Sequence, residues 1–282
     1  MQPKVITLGL ALQQAQAQGL ERLDAQMLLL FALHRDTNDR AWLLTHDHDP
    51  LPADAASRLN DAVSRRAAGE PLAYIEGTKE FFGLRLLVDH RVLVPRPDTE
   101  TLVEWTLELL AQAPTPADCL DLGTGSGAIA LAVKSQSTTT RVTATDASAD
   151  ALVVARANAE QLGLPVTFRQ GSWLQAVAGE RYHVIASNPP YIAEGDHHLP
   201  GLVHEPISAL TAGQDGLSDL RDLVSTAPGA LHPGGWLLLE HGHDQAAAVR
   251  ALLSAKGFEQ VLSRTDLTGI ERCSGGQWPH RR

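Results

Sequence analysis

Ala117-Asp118-Cys119-Leu120-Asp121-Leu122-Gly123-Thr124-Gly125-Ser126-Gly127 is the stretch that decides the fold of this 282-residue chain. An apolar run at 117–122 leads into three glycines at alternate positions, and then into the helix-forming residues 128–131. A short apolar run predicts a buried strand, and alternate glycines let the backbone turn tightly and let a ligand approach the main chain. The stretch therefore predicts a strand, a ligand-binding turn and a helix, although turn chemistry alone would also account for the glycines.

The sequence on the carboxyl side of this stretch continues to alternate between strand-like and helix-like segments. Such alternation is typical of an α/β protein with a doubly wound, largely parallel sheet, in the manner of Rossmann folds. We predict strands near 117–121, 142–146, 165–169, 183–187, 235–240, 257–263 and 269–274, and helices at 126–136, 149–163, about 217–231 and 244–256.

The sequence before residue 99 has two other textures. Residues 1–70 carry leucine and alanine at helical spacing, which predicts a small helical domain. In 71–98, apolar and aromatic residues, beginning with Tyr74 and Ile75, are interrupted by glycines, which predicts an extended β-hairpin connection. We therefore expect three parts: 1–70, 71–98 and 99–282.

Composition and charge narrow the class of protein. The net charge is −10 and the isoelectric point is near 5.6, the opposite of the usual footprint of a nucleic-acid-binding protein, so we expect a protein or small-molecule substrate. The longest strongly apolar run, 27–33, is too short to cross a bilayer, and no secretory signal pattern opens the chain. Cys119 and Cys273 have neither metal-ligand nor disulfide spacing. These features predict a cytoplasmic protein with no membrane association.

Three elements at predicted strand ends suit one cofactor. The turn has G-x-G-x-G spacing, unlike the dinucleotide and phosphate-loop motifs, and Asp121 before it suits an ammonium group. Asp146 ends the next strand, where a carboxylate can accept both ribose hydroxyls of an adenosine. Trp173 follows the third strand and could pack on an adenine ring. S-adenosylmethionine satisfies all three elements; a nicotinamide nucleotide is the second candidate.

Each of these elements also has a plain structural explanation. Asp146 could cap the helix that begins near Ala149, and Trp173 could be a core or rim residue. It is their order along the chain and their places at strand ends that favour the methyl donor.

Asn188-Pro189-Pro190-Tyr191 indicates the acceptor. The Asn188 side-chain oxygen and a carbonyl of the Pro-Pro segment can each accept one N–H hydrogen of a planar NH2 group and turn its lone pair toward an electrophile. The prolines have fixed φ and no N–H, so the ledge is stiff and only accepts. Tyr191 offers a flat face for stacking. The alternative is a proline-rich loop that merely terminates a strand.

Histidine pairs invite a metal interpretation. The sets are His46 with His48, His241 with His243, and His197 and His198 with His204. None forms a complete ligand set by sequence spacing. We therefore predict no metal site and interpret these histidines as solvated loop residues.

With these residues assembled, the chain resembles the protein-(glutamine-N(5)) methyltransferases that modify peptide chain release factors. The resemblance covers nearly the whole length. Asn-Pro-Pro-Tyr is shared by several amino-methyltransferases, whereas Pro-Arg-Pro-Asp-Thr-Glu discriminates this family from the relative that methylates a ribosomal-protein glutamine. The motifs that carry it are Asp-Leu-Gly-Thr-Gly-Ser-Gly (121–127), Asn-Pro-Pro-Tyr-Ile (188–192), Glu-Pro with a following Ala-Leu (205–210), Leu-Leu-Leu-Glu-His-Gly (237–242) and Phe-Phe-Gly (81–83) running into Val-Leu-Val-Pro-Arg-Pro-Asp-Thr-Glu (92–100).

The resemblance implies a small helical N-terminal domain, a hairpin connection and a seven-stranded class I methyltransferase domain. It implies S-adenosylmethionine bound by 123–127, Asp146, Trp173 and Asn188, and the glutamine of the release factors' Gly-Gly-Gln loop bound by Asn188–Tyr191. Ser172 stands where close relatives often carry Asp, so the resemblance assigns no cofactor contact to that side chain.

Other functions stay open from the sequence. They are methylation of a ribosomal-protein glutamine, methylation of an exocyclic amine of an extruded nucleic-acid base, a nicotinamide-dependent dehydrogenase, and a scaffold that only binds the methyl donor. The preferred prediction is a monomeric release factor glutamine methyltransferase. Gly275-Gly276-Gln277 repeats the presumed substrate tripeptide, so self-methylation at Gln277 is a further hypothesis.

Overall fold

The structure is a computed structural model that describes residues 6–280. The chain divides into two compact units, Met1–Thr78 and Lys79–Arg282. This division has a single boundary, after residue 78. The sequence predicted instead a separate connecting segment from 71 to 98.

The described part of the first unit is helical. Its core is built from leucines and alanines, with Leu28, Leu29 and Leu30 fully buried. Arg66 donates to the Asp24 carboxylate at 2.6 Å and joins two of the helices. The helices are α1 (Leu8–Ala17), α2 (Arg22–Ala32), α3 (Arg40–Thr45), α4 (Ala53–Ala67) and α5 (Leu72–Glu76).

Helix α5 corrects the prediction of extended structure at Tyr74 and Ile75. Pro71 precedes the first turn, where its missing N–H costs no hydrogen bond, and Gly77 ends the helix with φ +72°. Tyr74 and Ile75 are both buried in this helix. Two neighbouring apolar residues suit a buried helical turn as well as a strand, which is why the pattern misled.

A short hairpin follows, formed by β1 (Thr78–Phe81) and β2 (Leu84–Leu87). Phe82 and Gly83 both have positive φ, 51° and 74°, as the tight turn of a two-residue hairpin requires. Residues 88–96 are irregular and do not continue the strands, which narrows the predicted hairpin.

The second unit contains a seven-stranded sheet in the order β5-β4-β3-β6-β7-β9-β8, in which β9 is antiparallel to both of its neighbours. The predicted doubly wound, largely parallel sheet is confirmed. Its strands are β3 (Asp118–Leu122), β4 (Arg141–Asp146), β5 (Thr167–Gln170), β6 (Tyr182–Ser187), β7 (Leu231–Glu240), β8 (Glu259–Thr265) and β9 (Glu271–Gln277), and its helices are α6 (Glu100–Gln112), α7 (Ala128–Gln136), α8 (Ala149–Leu162), α9 (Ser218–Thr226) and α10 (Ala246–Lys256).

Both faces of the sheet are covered, and the strands show it by alternation. In β6, Val184 packs into the core that includes Trp105 of α6 and residues of α7, whereas Ile185 packs into the core of α9 and α10. In β7, Leu238 belongs to the first core and Leu239 to the second. Since successive side chains of a strand point to opposite faces, a strand covered on both sides is apolar throughout.

The chain direction makes one edge of this sheet special. From β3 the chain proceeds outward to β4 and β5 and then returns to β6 on the other side of β3. In doubly wound sheets, ligands bind at the carboxyl ends of the strands at this reversal. The reversal lies between β3, which ends in Asp121-Leu122, and β6, which is followed by Asn188.

Among the described residues, no helix combines the length and the apolarity that crossing a membrane requires.

Candidate active site

The ends of β3, β4 and β6 bring the predicted site residues to one edge of the sheet. Leu122 is aligned with Thr145 of β4 and with Ser187 of β6, so the residues that follow these strands are neighbours. The Ser187 hydroxyl donates to the Leu122 carbonyl at 2.7 Å and joins two of the strand ends directly. Asp121, Asp146 and Asn188, far apart in sequence, are thereby brought together.

Asp121 is buried beneath the glycine turn. Its Oδ2 accepts from the Thr124 hydroxyl at 2.6 Å and from the Ala130 N–H at 3.1 Å, while its Oδ1 is buried without a partner among the described residues. Burial raises the pKa of this carboxyl to about 7. A carboxylate oxygen that lacks a donor fits the ammonium group that the sequence interpretation assigns to it.

The Asp146 carboxylate holds the glycine turn by accepting a hydrogen bond from the backbone of the turn. Its Oδ2 accepts from the Gly125 N–H at 2.9 Å and its Oδ1 from the Ser148 N–H at 2.8 Å. The helix cap proposed as an alternative role belongs to Ser148, whose hydroxyl accepts from the Ala151 N–H at 3.1 Å. Burial raises the pKa of Asp146. Each carboxylate oxygen keeps a second lone pair for a ligand hydroxyl.

Trp173 stands against the turn. A Cβ added at Gly123 would lie 3.2 Å from the Trp173 ring, so the ring packs where only glycine fits. Burial raises the pKa of Asp219 at the start of α9, and the neighbouring Trp173 side chain opposes this shift. The sequence reasoning did not identify Asp219.

Asp146, Trp173 and the glycine turn line a cavity of about 250 Å³ that we call the donor cavity. Of the predicted cofactor residues, Gly123, Gly125, Asp146, Trp173 and Asn188 line it. The Thr124 and Ser126 side chains are buried and support the turn from beneath, as Asp121 does. The remaining lining residues are Arg91, Val92, Leu93, Ala147, Ser148, Ala151, Gly171, Ser172, Pro190, Pro206, Ser208, Ala209 and Asp219.

The Asn-Pro-Pro-Tyr segment is fixed by its surroundings. The Gln245 amide donates to the Tyr191 carbonyl at 3.0 Å and accepts from the Gly242 N–H at 2.8 Å. Gly216, with φ +70°, packs so closely on the Tyr191 carbonyl that an added Cβ would overlap it. Burial raises the pKa of the Tyr191 phenol far above its ordinary value, so the ring stays neutral. The segment is therefore held as a rigid ledge.

A second cavity, of about 430 Å³, is also lined by residues of this ledge, and we call it the acceptor cavity. Arg96 and Tyr191 line it, and Arg96 is held by the buried Glu205 carboxylate at 2.5 Å. Asn188 lines both the acceptor cavity and the donor cavity. The other lining residues are Leu93, Ile192, His198, Gly201, Leu202, Ala209 and Leu210.

Two buried side chains behind Asn188 were missed by sequence reasoning as site residues. Glu240 ends β7 and Thr99 precedes α6; they are 1% and 4% exposed. The Asn188 Nδ2 donates to the Thr99 hydroxyl at 3.3 Å. A charged residue after three leucines, at the end of the strand beside β6, is the signal that could have identified Glu240.

The histidines divide differently from the sequence interpretation. His197 and His198 lie with Asp196 in an exposed group, as expected of solvated residues. His241 is fully buried, which corrects its interpretation as solvated; its ring bonds the Ser274 hydroxyl at 2.7 Å.

A group not anticipated, Asp118 with His183 and His232, has ligand atoms close enough to hold a metal ion. Both Asp118 carboxylate oxygens already accept from Arg141 at 2.7 Å, and His183 Nδ1 accepts from the Asp118 N–H at 3.0 Å. These ligand atoms are therefore engaged within the protein.

Gly275-Gly276-Gln277 lies in β9, in the interior of the sheet. A Cβ at Gly275 would overlap the Leu238 side chain and lie 2.9 Å from the Trp105 ring. The Gln277 amide donates to the Gly234 carbonyl at 2.9 Å, and Gln277 pairs with Trp236, at the end of the β7 ladder away from Glu240. Packing thus accounts for the glycines, and Gln277 lies away from Asn188.

Comparisons with known proteins agree with this arrangement. Residues 101–213 match the family model of the methyltransferase small domain, and residues 9–77 match that of the PrmC N-terminal domain. A release factor glutamine methyltransferase of Xylella fastidiosa (strain Temecula1) is 48% identical over 96% of this chain and 98% of its own. One of Bordetella pertussis is 50% identical over 92% of this chain and 95% of its own.

A solved methyltransferase structure from Pyrococcus furiosus has the same fold. It superposes with a TM-score of 0.53 at 20% identity and covers 78% of this chain and 99% of its own. The expectation of a class I methyltransferase fold is confirmed.

Proposed function

Because this chain belongs to the release factor glutamine methyltransferases, we propose that it transfers a methyl group from S-adenosylmethionine to the side-chain nitrogen of the glutamine in a release factor's Gly-Gly-Gln loop. A monomeric, cytoplasmic enzyme without a metal is part of this proposal. The observation that carries it is the position of Asn188, which lines both the donor cavity and the acceptor cavity.

The donor cavity has the groups that this cofactor needs. Asp121 lies beneath the glycine turn that lines this cavity, and its unpartnered Oδ1 suits the ammonium of the amino-acid tail. Asp146, which lines the cavity, suits the ribose hydroxyls. Trp173 and the glycine turn offer a flat apolar wall for the adenine. No Lys or Arg lies within the turn to meet a pyrophosphate, which speaks against a dinucleotide.

The glutamine side-chain nitrogen, which accepts the methyl group, donates its N–H hydrogens to the oxygens of the ledge. The Asn188 oxygen and a Pro-Pro carbonyl take its two N–H hydrogens, and the neutral Tyr191 ring stacks on the planar amide. The amide lone pair, otherwise delocalised into the carbonyl, is thereby directed at the donor cavity.

S-adenosylmethionine supplies, when bound, an electrophilic methyl carbon on a sulfonium. A bond forms from the glutamine nitrogen to this carbon while the carbon–sulfur bond breaks; the sulfur keeps the bonding pair and the nitrogen releases a proton to water. The chain's own contribution is alignment, for which oriented approach lowers barriers by roughly 7–11 kcal/mol.

The test is incubation of the protein with labelled S-adenosylmethionine and an unmodified release factor, followed by peptide mapping. We expect label on the Gly-Gly-Gln glutamine, and none when that glutamine is replaced by Ala. Asn188→Ala should lower kcat by well over an order of magnitude and weaken cofactor binding only moderately. Label found instead on a ribosomal protein or on nucleic acid would assign the chain to one of the alternative functions.

A further inference from the structure

Behind Asn188, three polar side chains meet in a buried position. Ser187 of β6 is aligned with Leu239 of β7, so the next residues, Asn188 and Glu240, lie side by side at the end of the two strands. Thr99, just before α6, completes the group. Glu240 and Thr99 are almost fully buried, whereas Asn188 is half-buried and reaches both cavities.

The hydrogen bonds in this group have a direction. The Asn188 Nδ2 donates to the Thr99 hydroxyl at 3.3 Å. Both side chains also lie close enough to the Glu240 carboxyl to lower its pKa by hydrogen bonding, while Glu240 Oε2 is buried without a close partner among the described residues. An ionised carboxylate only accepts, so both neighbours must donate to it. The Thr99 hydroxyl hydrogen is thereby used, and the hydroxyl oxygen is left to accept from Asn188.

A primary amide keeps nearly the same shape when its oxygen and nitrogen exchange places. Only one of these two orientations serves the proposed reaction. If the Asn188 amide turned over, its Oδ1 would face an ionised carboxylate and an acceptor oxygen, which is repulsive. Its NH2 would then face the acceptor cavity, where a glutamine NH2 also needs an acceptor. The orientation of this one amide therefore decides whether the ledge can hold the substrate.

We propose that Glu240, acting with Thr99, is a positioning residue that locks the Asn188 amide with its oxygen toward the substrate. This inference rests on the proposed function, because it assigns the lock to the same reaction. The carboxylate touches neither substrate nor cofactor; it acts through Asn188.

The lock depends on the charge of Glu240. Burial and, to a smaller extent, Asp98 raise the pKa of Glu240, while Thr99, Arg272 and Asn188 lower it, and the resulting pKa is about 7. Tyr191 and Cys273 also interact electrostatically with Glu240, and both have pKa values raised far above the neutral range. A protonated Glu240 can donate as well as accept, so it can form a hydrogen bond with the amide in either orientation. The turnover number at saturating cofactor is thus expected to fall as the pH falls through about 7.

The first experiment compares wild type with Glu240→Gln in release factor methylation from pH 6 to pH 8.5. Glutamine has the shape of the protonated acid, so the two proteins should have similar kcat at pH 6 and diverge as the pH rises. We expect wild type to be severalfold faster at pH 8.5 and the variant to lack the rise near pH 7, with similar cofactor affinity. Glu259→Gln, the same change at an exposed position of β8, should retain the wild-type profile.

A second pair of variants tests the direction of the hydrogen bonds. In Glu240→Leu the Thr99 hydroxyl hydrogen is free to bond the Asn188 oxygen, which favours the wrong orientation, so kcat should fall roughly tenfold, the worth of one hydrogen bond. Adding Thr99→Val removes that hydroxyl, and the double variant should be no slower than Glu240→Leu alone. Thr99→Ser, which keeps the hydroxyl, should retain the wild-type rate.

The outcomes separate the two proposals. A wild-type protein that does not methylate release factor overturns the proposed function. If the wild type is active and the rise of kcat near pH 7 persists in Glu240→Gln, the positioning role alone is overturned. It is also overturned if Thr99→Val lowers kcat as much in the Glu240→Leu background as in wild type.

Discussion

The Arg96 guanidinium donates to the Glu205 carboxylate, Nη2 to Oε1, at 2.5 Å, and so joins the segment before α6 to the loop that follows the Asn-Pro-Pro-Tyr ledge. The Glu205 side chain is 2% exposed, and its second oxygen accepts from the Val94 N–H at 3.1 Å. Arg96 lines the acceptor cavity. One buried carboxylate therefore positions both the backbone and a cationic side chain at the wall of that cavity.

We expect substitutions of the two partners to lower the stability of the fold by different amounts. Arg96→Ala leaves a buried carboxylate with a single backbone donor, so we expect it to lower the free energy of unfolding by about 2–4 kcal/mol. Glu205→Gln keeps the shape and removes the charge, and should cost about 1–2 kcal/mol. Urea denaturation of the two variants and of Arg96→Ala/Glu205→Gln gives the coupling; the double variant should be more stable than the sum of the single costs implies. Strict additivity would mean that the contact carries no energy.

Cofactor affinity should depend on pH through Asp121. Its pKa of about 7 in the cofactor-free protein means that an ammonium ligand must displace a proton below that pH. We expect the affinity for S-adenosylmethionine to weaken by up to about tenfold per pH unit below 7, with proton release visible by calorimetry in buffers of different ionisation enthalpy. Asp121→Asn should bind weakly at every pH and release no proton. A wild-type affinity that is flat from pH 8 to pH 6 would exclude the ammonium contact.

The same group affects stability in a definite direction. Because burial raises the folded-state pKa above the ordinary 3.8, the folded chain binds the proton more tightly than the unfolded chain. The contribution of Asp121 to the free energy of unfolding is then highest below about pH 4 and declines as the pH rises to about 7. In the absence of cofactor, Asp121→Asn should therefore flatten the decline in denaturation midpoint over this range, and an unchanged pH dependence would argue against the burial of this carboxyl.

Gly123 should be required for more than its backbone angle. Gly123→Ala combines a positive φ of 72° with a Cβ 3.2 Å from the Trp173 ring. Gly163→Ala, at the end of α8, has φ +64° and open space, and serves as the control for backbone strain alone. Both should lose about 1–3 kcal/mol of stability, but only Gly123→Ala should also weaken cofactor binding, by about tenfold or more in isothermal titration. Equal binding losses in the two variants would remove the Trp173 contact from the account.

The Gly-Gly-Gln tripeptide of β9 should be structural. Gly275→Ala forces a methyl group into the Leu238 side chain and should destabilise the fold by about 1–3 kcal/mol or more in thermal or urea unfolding. Gln277→Ala should leave methylation of release factor unchanged. Intact mass of the wild type incubated with cofactor alone should show no added methyl group; a gain that disappears in Gln277→Ala would establish self-methylation.

The sequence was sufficient for the central strands of the sheet because β3, β6 and β7 carry apolar side chains on both faces. β6 and β7 could be placed to within a few residues for that reason. The turn of α5 was misassigned because Tyr74 and Ile75 are apolar neighbours, a pattern common to a strand and to a single buried helical turn. Five residues are too few for helical periodicity to appear.

For the site, sequence reasoning named several residues that line the two cavities and missed some of those that contact these residues from behind. Asn188 and Asp146 follow predicted strands and carry polar side chains, which is a visible signal. The Arg96–Glu205 pair joins positions 109 residues apart, and the contact of Glu240 with Asn188 depends on which strands are neighbours. No local pattern encodes that order; it is set by tertiary packing.

The most direct measurement is a crystal structure of the protein with S-adenosylmethionine, or an unreactive analogue, and a glutamine peptide. The account predicts that the donor carbon points from the donor cavity to the ledge at Asn188–Tyr191. The glutamine nitrogen should lie about 3–3.5 Å from that carbon, with the Asn188 oxygen accepting one of its hydrogens. A donor carbon directed away from residues 188–191, or a glutamine amide bound elsewhere, would contradict it.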